Sequence, residues 1–216
     1  MISPPVSPLK TPMPRAHAGA ARVSRCERAF AMAVIFLNGC TSAGKTSVAQ
    51  ALQEILDPAH LRIGIDDAFA MFPRKFHNHP DGFFFDRDAR GEIRLNHGAV
   101  GLALLQAHSR MAAALAMRSL GLILDEVVLK AVLREDWQEA LAECDVFMVG
   151  VHCALPELER RERERGDRLI GQARGQFDLV HVGMSYDLEV DTTSATPTTV
   201  AAQIAEAYDR WRFTRA

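Results

Sequence analysis

AVIFLNGCTSAGKTS, residues 33 to 47, runs a short apolar stretch into a turn of small residues and then a Gly-Lys-Thr step. Within it, Gly39 to Thr46 match G-x-x-x-x-G-K-[ST], with a strand-like segment before and a helical one after, as a phosphate-binding loop requires. Small residues let successive backbone N–H groups turn inward around an anion, and the helix starting there adds the positive end of its dipole. The chain holds 4 lysines against 21 arginines, so a lysine at this point marks a specific demand. Lys45 offers a compact, movable charge for the β and γ phosphates, and Thr46 a hydroxyl for Mg²⁺. The expected cofactor-binding residues are therefore Gly39, Cys40, Thr41, Ser42, Ala43, Gly44, Lys45, Thr46 and Ser47, with ATP and Mg²⁺ as the cofactors.

Outward from that loop, apolar strands alternate with amphipathic stretches, the pattern of a parallel sheet covered by helices on both faces. Strands are expected near residues 33–38, 61–65, 121–125, 145–152 and 187–191. Helices are expected over 45–56, 99–118, 132–143, 155–165 and 198–212. Between Pro73 and Asn96 the aromatic cluster, turn residues and Arg-Gly step predict a loop and hairpin insertion.

A chain of 216 residues with 48% hydrophobic residues can bury a substantial core and fits one domain. The net charge of −2 provides no basic excess for nucleic acid, and no apolar run is long enough to cross a bilayer. The four cysteines form neither a CxxC pair nor a zinc spacing, which points to reduced thiols and a cytoplasmic protein. Residues 1–31 are rich in Pro, Ala, Ser and Arg and lack a signal-peptide core, so they read as disordered. Met32 directly precedes the first strand and is a candidate translation start, which would leave that segment outside the protein.

A phosphate loop is shared by switches, ATPases and kinases, so the placement of acids must narrow the choice. Strand GLILDEVVL carries Asp125-Glu126 at its carboxyl end, where Asp125 suits Mg²⁺, directly or through water, or else caps a loop. Strand LRIGIDD ends in Asp66-Asp67. Asp66 is read as the general base for an acceptor hydroxyl and Asp67 as the cap of a short helix at 68–71. In RRERERGDRLIGQARGQF, residues 160–177, Glu157 to Arg161, Glu159 to Arg163 and Glu164 to Arg168 form i,i+4 pairs of a solvated helix face. Arg165 breaks that account, because its i−4 neighbour is Arg161 and an incoming anion would relieve the like charges. Gly166 lets the chain bend, so that Arg165 and Arg168 can act as a lid over the transferred phosphoryl group.

From Ala33 to about Arg212 the chain resembles the chloramphenicol phosphotransferase-like proteins. The resemblance rests on IFLNGCTSAGKTSVAQALQ, IGIDDAFAMFP, LILDEVVL, VFMVGVHCALPELERRERERGDRLIGQA and HVGMSYDLEVDTT. It implies an α/β P-loop NTPase with an adenylate-kinase-like three-layer sandwich, a central parallel sheet and a helical lid. It also implies transfer of the ATP γ-phosphoryl group to a hydroxyl of a small antibiotic. Asp66 then falls on the catalytic aspartate, Lys45 and Thr46 on the phosphate and Mg²⁺ residues, and Arg165 and Arg168 on the lid.

The stretch KFHNHPDGFFFDRDARGEIRLN, residues 75–96, lies where that family builds its acceptor pocket, and its Phe83-Phe84-Phe85, His77 and His79 have no assigned match to the antibiotic, so chloramphenicol is one candidate among others. Phe83-Phe84-Phe85 can stack on a planar substrate but fit hairpin packing better. His77 and His79 read as exposed loop residues rather than half a metal site, since no further ligand cluster accompanies them. His97 reads as a cap for the helix that follows. The sequence thus predicts a kinase with a small-molecule hydroxyl acceptor and neither nucleic-acid nor membrane partners. Chloramphenicol and metabolite alcohols are both open, as is a nucleotide-dependent switch without an acceptor.

Overall fold

The computed structural model describes residues 33–118, 121–166 and 169–215. The N-terminal segment expected to be disordered, and Arg168 of the expected lid, lie outside the described residues.

Strand β1 (Val34–Asn38) is buried along its whole length, which suits the centre of a sheet covered on both faces. Helix α1 (Lys45–Ile55) follows the phosphate loop, then β2 (His60–Gly64) and a short α2 (Ile65–Met71). After a 3₁₀ turn come β3 (Phe83–Arg87) and β4 (Ile93–His97), an antiparallel ribbon outside the main sheet. Helix α3 (Ala99–Ala116), β5 (Gly121–Glu126), α4 (Ala131–Ala140), β6 (Val146–His152), α5 (Leu155–Arg165), α6 (Gln172–Phe177), β7 (Leu188–Asp191) and α7 (Pro197–Phe213) complete the chain. Among the described residues, the main sheet is parallel throughout, in the order β2-β5-β1-β6-β7. With helices on both faces, this is the three-layer α/β sandwich expected from the sequence.

Strand alternation divides the core in two. Ile35 and Leu37 face a cluster with Leu52 of α1 and Ile204 and Tyr208 of α7. Val34 and Phe36 face the other layer with Ala112 of α3 and Trp137 of α4, where the Phe36 and Trp137 rings meet edge to face at 5.1 Å. Each such fully buried side chain contributes about 1.5–3 kcal/mol of hydrophobic stabilisation.

Register sets the site. Leu37 of β1 and Gly64 of β2 both lie level with Asp125 of β5, so the loops that follow these strands emerge along one sheet edge. Two details depart from the sequence reading. Helix α2 begins at Ile65, so Asp66 sits in a helix's first turn rather than at a strand end. Helix α6 was not anticipated, because six residues are too few to leave a periodic signal.

Candidate active site

The loop between β1 and α1 is shaped by its backbone. Gly44, which precedes α1, has φ 84°, and Ser42 has φ 61°, a region that strains a non-glycine residue and persists where the surroundings impose it. Gly39 is required by space, since a Cβ there would lie 2.3 Å from the Val151 carbonyl oxygen on β6. The turn is tied from outside: Thr192 Oγ1 donates to Ala43 O at 2.7 Å, and Thr41 N donates to Gln176 Oε1 at 2.7 Å.

Beneath it, Asn38 is fully engaged. Its Nδ2 donates to Val180 O and to Tyr186 Oη, both at 2.8 Å, while its Oδ1 accepts from Val128 N at 2.9 Å. Tyr186 Oη lies 2.7 Å from His181 Nδ1. Burial pushes His181 down to about 4, with His152 adding to the effect, so its ring is neutral and accepts the Tyr186 proton.

Thr41, Ser42, Gly44, Lys45, Thr46 and Ser47 line a cavity of about 680 Å³. Cys40 and Ala43 instead turn into the apolar core, and with Gly39 they serve as scaffold behind the lining. Burial pushes the Cys40 thiol up to about 12, which keeps it protonated.

Lys45 is only 6% exposed. Its Nζ donates to Cys40 O at 2.8 Å and lies 3.9 Å from Asp125 Oδ1. Burial lowers its pKa, opposed by the Asp125 carboxylate, as expected of an ammonium held out of water for an anion. Thr46 Oγ1 donates to the other Asp125 oxygen at 2.6 Å. The hydroxyl and carboxylate assigned to Mg²⁺ from the sequence are therefore side by side at the cavity floor. One hydroxyl and one carboxylate suit a cation that takes its remaining oxygens from phosphate and water. Among the described residues, no cluster of three or more His, Cys, Asp or Glu forms an all-protein metal site.

Asp66 lines the same cavity, close enough to act on the charge of Lys45. Asp67 takes the capping role: its Oδ2 accepts from Gly64 N at 2.8 Å. It also pairs with Arg62 at 3.4 Å. The two neighbouring acids are thus separated, one holding the helix start and the other at the cavity.

Above the loop runs α5, of which both Arg161 and Arg165 line the cavity. Arg161 makes the expected bond to Glu157 at 2.7 Å, yet its Nη2 also donates to Thr192 O at 2.6 Å, beside the phosphate loop. The sequence reading put it on one face with Arg165 and gave it Glu157 as a partner, but assigned it no contact with the loop. The expected pairing of Glu159 with Arg163 is replaced by Arg174 of α6, whose Nε donates to Glu159 at 2.7 Å, because the chain folds back after Gly166. Glu162 fixes that return. It is 1% exposed and accepts from Gly171 N at 2.7 Å and Ala173 N at 2.8 Å. Nothing in the local sequence distinguishes Glu162 from its exposed neighbours.

The far wall is apolar, built by Phe69 of α2, Phe83 of β3, Leu95 of β4 and Leu105 of α3. Phe83 packs edge to face on Phe69 at 4.6 Å and on Phe72 at 5.2 Å while lining the cavity, and Phe85 is 39% exposed, so the phenylalanine run is divided between packing, the cavity wall and solvent. His77 and His79 bond to the loop itself, through Phe72 O at 3.3 Å and Asp81 N at 3.2 Å. His97 is not a cap, since Gly98 holds that position; it lines the cavity with Lys130.

With this geometry in place, the profile described as "Chloramphenicol phosphotransferase-like protein" matches residues 32–209. The chain belongs to this family. A Mycobacterium tuberculosis protein provisionally named an O-phosphotransferase is 32% identical over 183 residues, covering 81% of each chain. Among solved structures, the M. tuberculosis APS kinase with AMPPNP and APS aligns at TM-score 0.59 and 16% identity, over 82% of this chain and 98% of that one. The Deinococcus radiodurans tunicamycin resistance protein aligns at 0.57 and 17%, over 82% and 95%. Family and fold thus agree on a P-loop phosphotransferase of the small-molecule kinase type. Among the described residues, no helix is long and apolar enough to cross a membrane.

Proposed function

We propose that the protein transfers the γ-phosphoryl group of ATP to a hydroxyl of a small molecule. The observation that carries this reading is one cavity lined by Lys45, Thr46 and Asp125, by Asp66, and by the apolar side chains of Phe69, Phe83, Leu95 and Leu105. A switch needs the first part but has no use for an apolar chamber beside a carboxylate.

Loop amides from Thr41 to Thr46 and the Lys45 ammonium bind the phosphates. Thr46 and Asp125 would hold Mg²⁺, which when bound neutralises phosphate charge. The acceptor oxygen forms its bond to the γ-phosphorus as the bond to the β–γ bridging oxygen breaks, and ADP leaves with that electron pair. The acceptor's proton passes to Asp66 and then to solvent. Arg161 and Arg165 stabilise charge developing on the transferred group, and Arg168 takes the same role by its match to the family. The acceptors to consider are chloramphenicol, from the family's name, and metabolite alcohols.

The test supplies γ-labelled ATP to the purified chain with a panel of alcohols. Label appearing on an alcohol supports the reading. ATP consumption that no alcohol accelerates, but a protein partner does, favours the switch.

A further inference from the structure

Two of the chain's four lysines line this cavity, and only Lys45 is used by the phosphate loop. The second, Lys130, stands at the start of α4 beside the apolar chamber. Its Nζ donates to Asn96 Oδ1 at 3.2 Å, and Asn96 Nδ2 donates in turn to Asp86 Oδ1 at 2.8 Å, so the ammonium is aimed by a short chain of bonds rather than left to wander. Among the described residues, no carboxylate lies within ion-pair distance of Lys130. Arg62, which also lines the cavity, is already engaged by Asp67 at 3.4 Å and Asp125 at 4.0 Å.

Next to Lys130 lies His97, whose buried Nε2 has no hydrogen-bond partner among the described residues. Burial, and then the charge of Lys130, lowers the His97 pKa, so the ring beside Lys130 is neutral and adds no second positive charge. A positioned ammonium beside a neutral ring, set in an apolar wall, describes a pocket suited to one anionic group on an otherwise apolar body.

We infer that the acceptor is a small hydroxy acid, its carboxylate held by Lys130 and its apolar body packed between Phe69, Phe83 and Leu105. A monoanion is specified because the Lys130 ammonium carries a single charge and, among the described residues, has no carboxylate of its own. The inference rests on the phosphotransferase reading above and adds the chemical class of the acceptor, which excludes neutral chloramphenicol as the preferred substrate.

The test compares hydroxy acids with their own methyl esters, and with chloramphenicol, using labelled ATP and the full chain. The acids are expected to exceed their esters by about tenfold or more in kcat/KM, the equivalent of one charge-assisted hydrogen bond. In Lys130→Met that ratio should fall towards one through a raised KM for the acid, with the nucleotide Kd unchanged; Lys130→Arg should retain most of the preference. Esters or chloramphenicol accepted as readily as acids, or an acid preference that survives Lys130→Met, would overturn the inference and leave the kinase reading standing. Transfer to no alcohol of either kind would overturn both.

Discussion

Thr46 Oγ1 donates to Asp125 Oδ2 across 2.6 Å, tying the first turn of α1 to the end of β5. The same carboxylate lies 3.9 Å from Lys45 and 4.0 Å from Arg62, so three residues from α1 and β2 converge on it. Asp125→Asn keeps an oxygen for the Thr46 bond and removes the charge. We expect the variant to fold, and its nucleotide affinity to lose most of the enhancement that Mg²⁺ gives the wild type. Titration with a fluorescent ATP analogue, with and without Mg²⁺, checks this; an enhancement equal to that of wild type would rule out Asp125 as a metal-holding group.

Lys45→Met separates binding from stability. Removing the ammonium relieves its own desolvation but leaves the buried Asp125 carboxylate short of a partner, so without nucleotide the variant should be less stable than wild type by about 1–3 kcal/mol. Its nucleotide affinity should fall roughly a hundredfold with the loss of a charge-assisted bond to phosphate. Urea unfolding and nucleotide titration on the same preparation measure the two effects. Loss of stability together with intact affinity would reverse the assignment.

His181 gives the fold a pH dependence with a definite sign. Its folded-state value of about 4 lies below the ordinary 6.5, so the unfolded chain takes up the proton first. The stabilisation is complete above about 6.5 and is lost as pH falls towards 4. For a half-exposed ring, solvent screening reduces the effect to about 1–2 kcal/mol. His181→Gln can still accept from Tyr186 and does not titrate there. The wild-type advantage in urea midpoint should therefore shrink between pH 7.5 and 5; a constant difference would show that the ring does not titrate differently on unfolding.

Much of this arrangement was legible in advance because it is local. Strand, small-residue turn, lysine and helix are consecutive between Ala33 and Ile55, and the burial of β1 left a continuous apolar run. Asp125 and Asp66 could be placed because parallel strands bring their carboxyl ends to one edge. What escaped notice depends on distant pairing. Glu162 is one of many charges in α5, and only the return of the chain at Gly171 buries it. Gln176 reaches Thr41 N across 135 positions, and Lys130 gains its meaning from Asn96 on the ribbon. Arg161 was assigned its Glu157 partner correctly but not its place over the loop.

Glu162→Ala should detach that return. Two backbone N–H groups lose a buried carboxylate acceptor, for a cost of about 2–4 kcal/mol. Hydrogen exchange should rise over residues 171–177 before the rest of the domain opens, whereas uniform exchange across the chain would deny Glu162 a local role.

The most direct test is transfer of γ-label from ATP to an alcohol by the wild type and by Asp66→Asn. The variant should bind ATP within about twofold of wild type and transfer the label on the order of 10²–10⁴ times more slowly, the usual contribution of a positioned base. Normal transfer by Asp66→Asn, or label reaching only water in the wild type whatever alcohol is offered, would contradict the account.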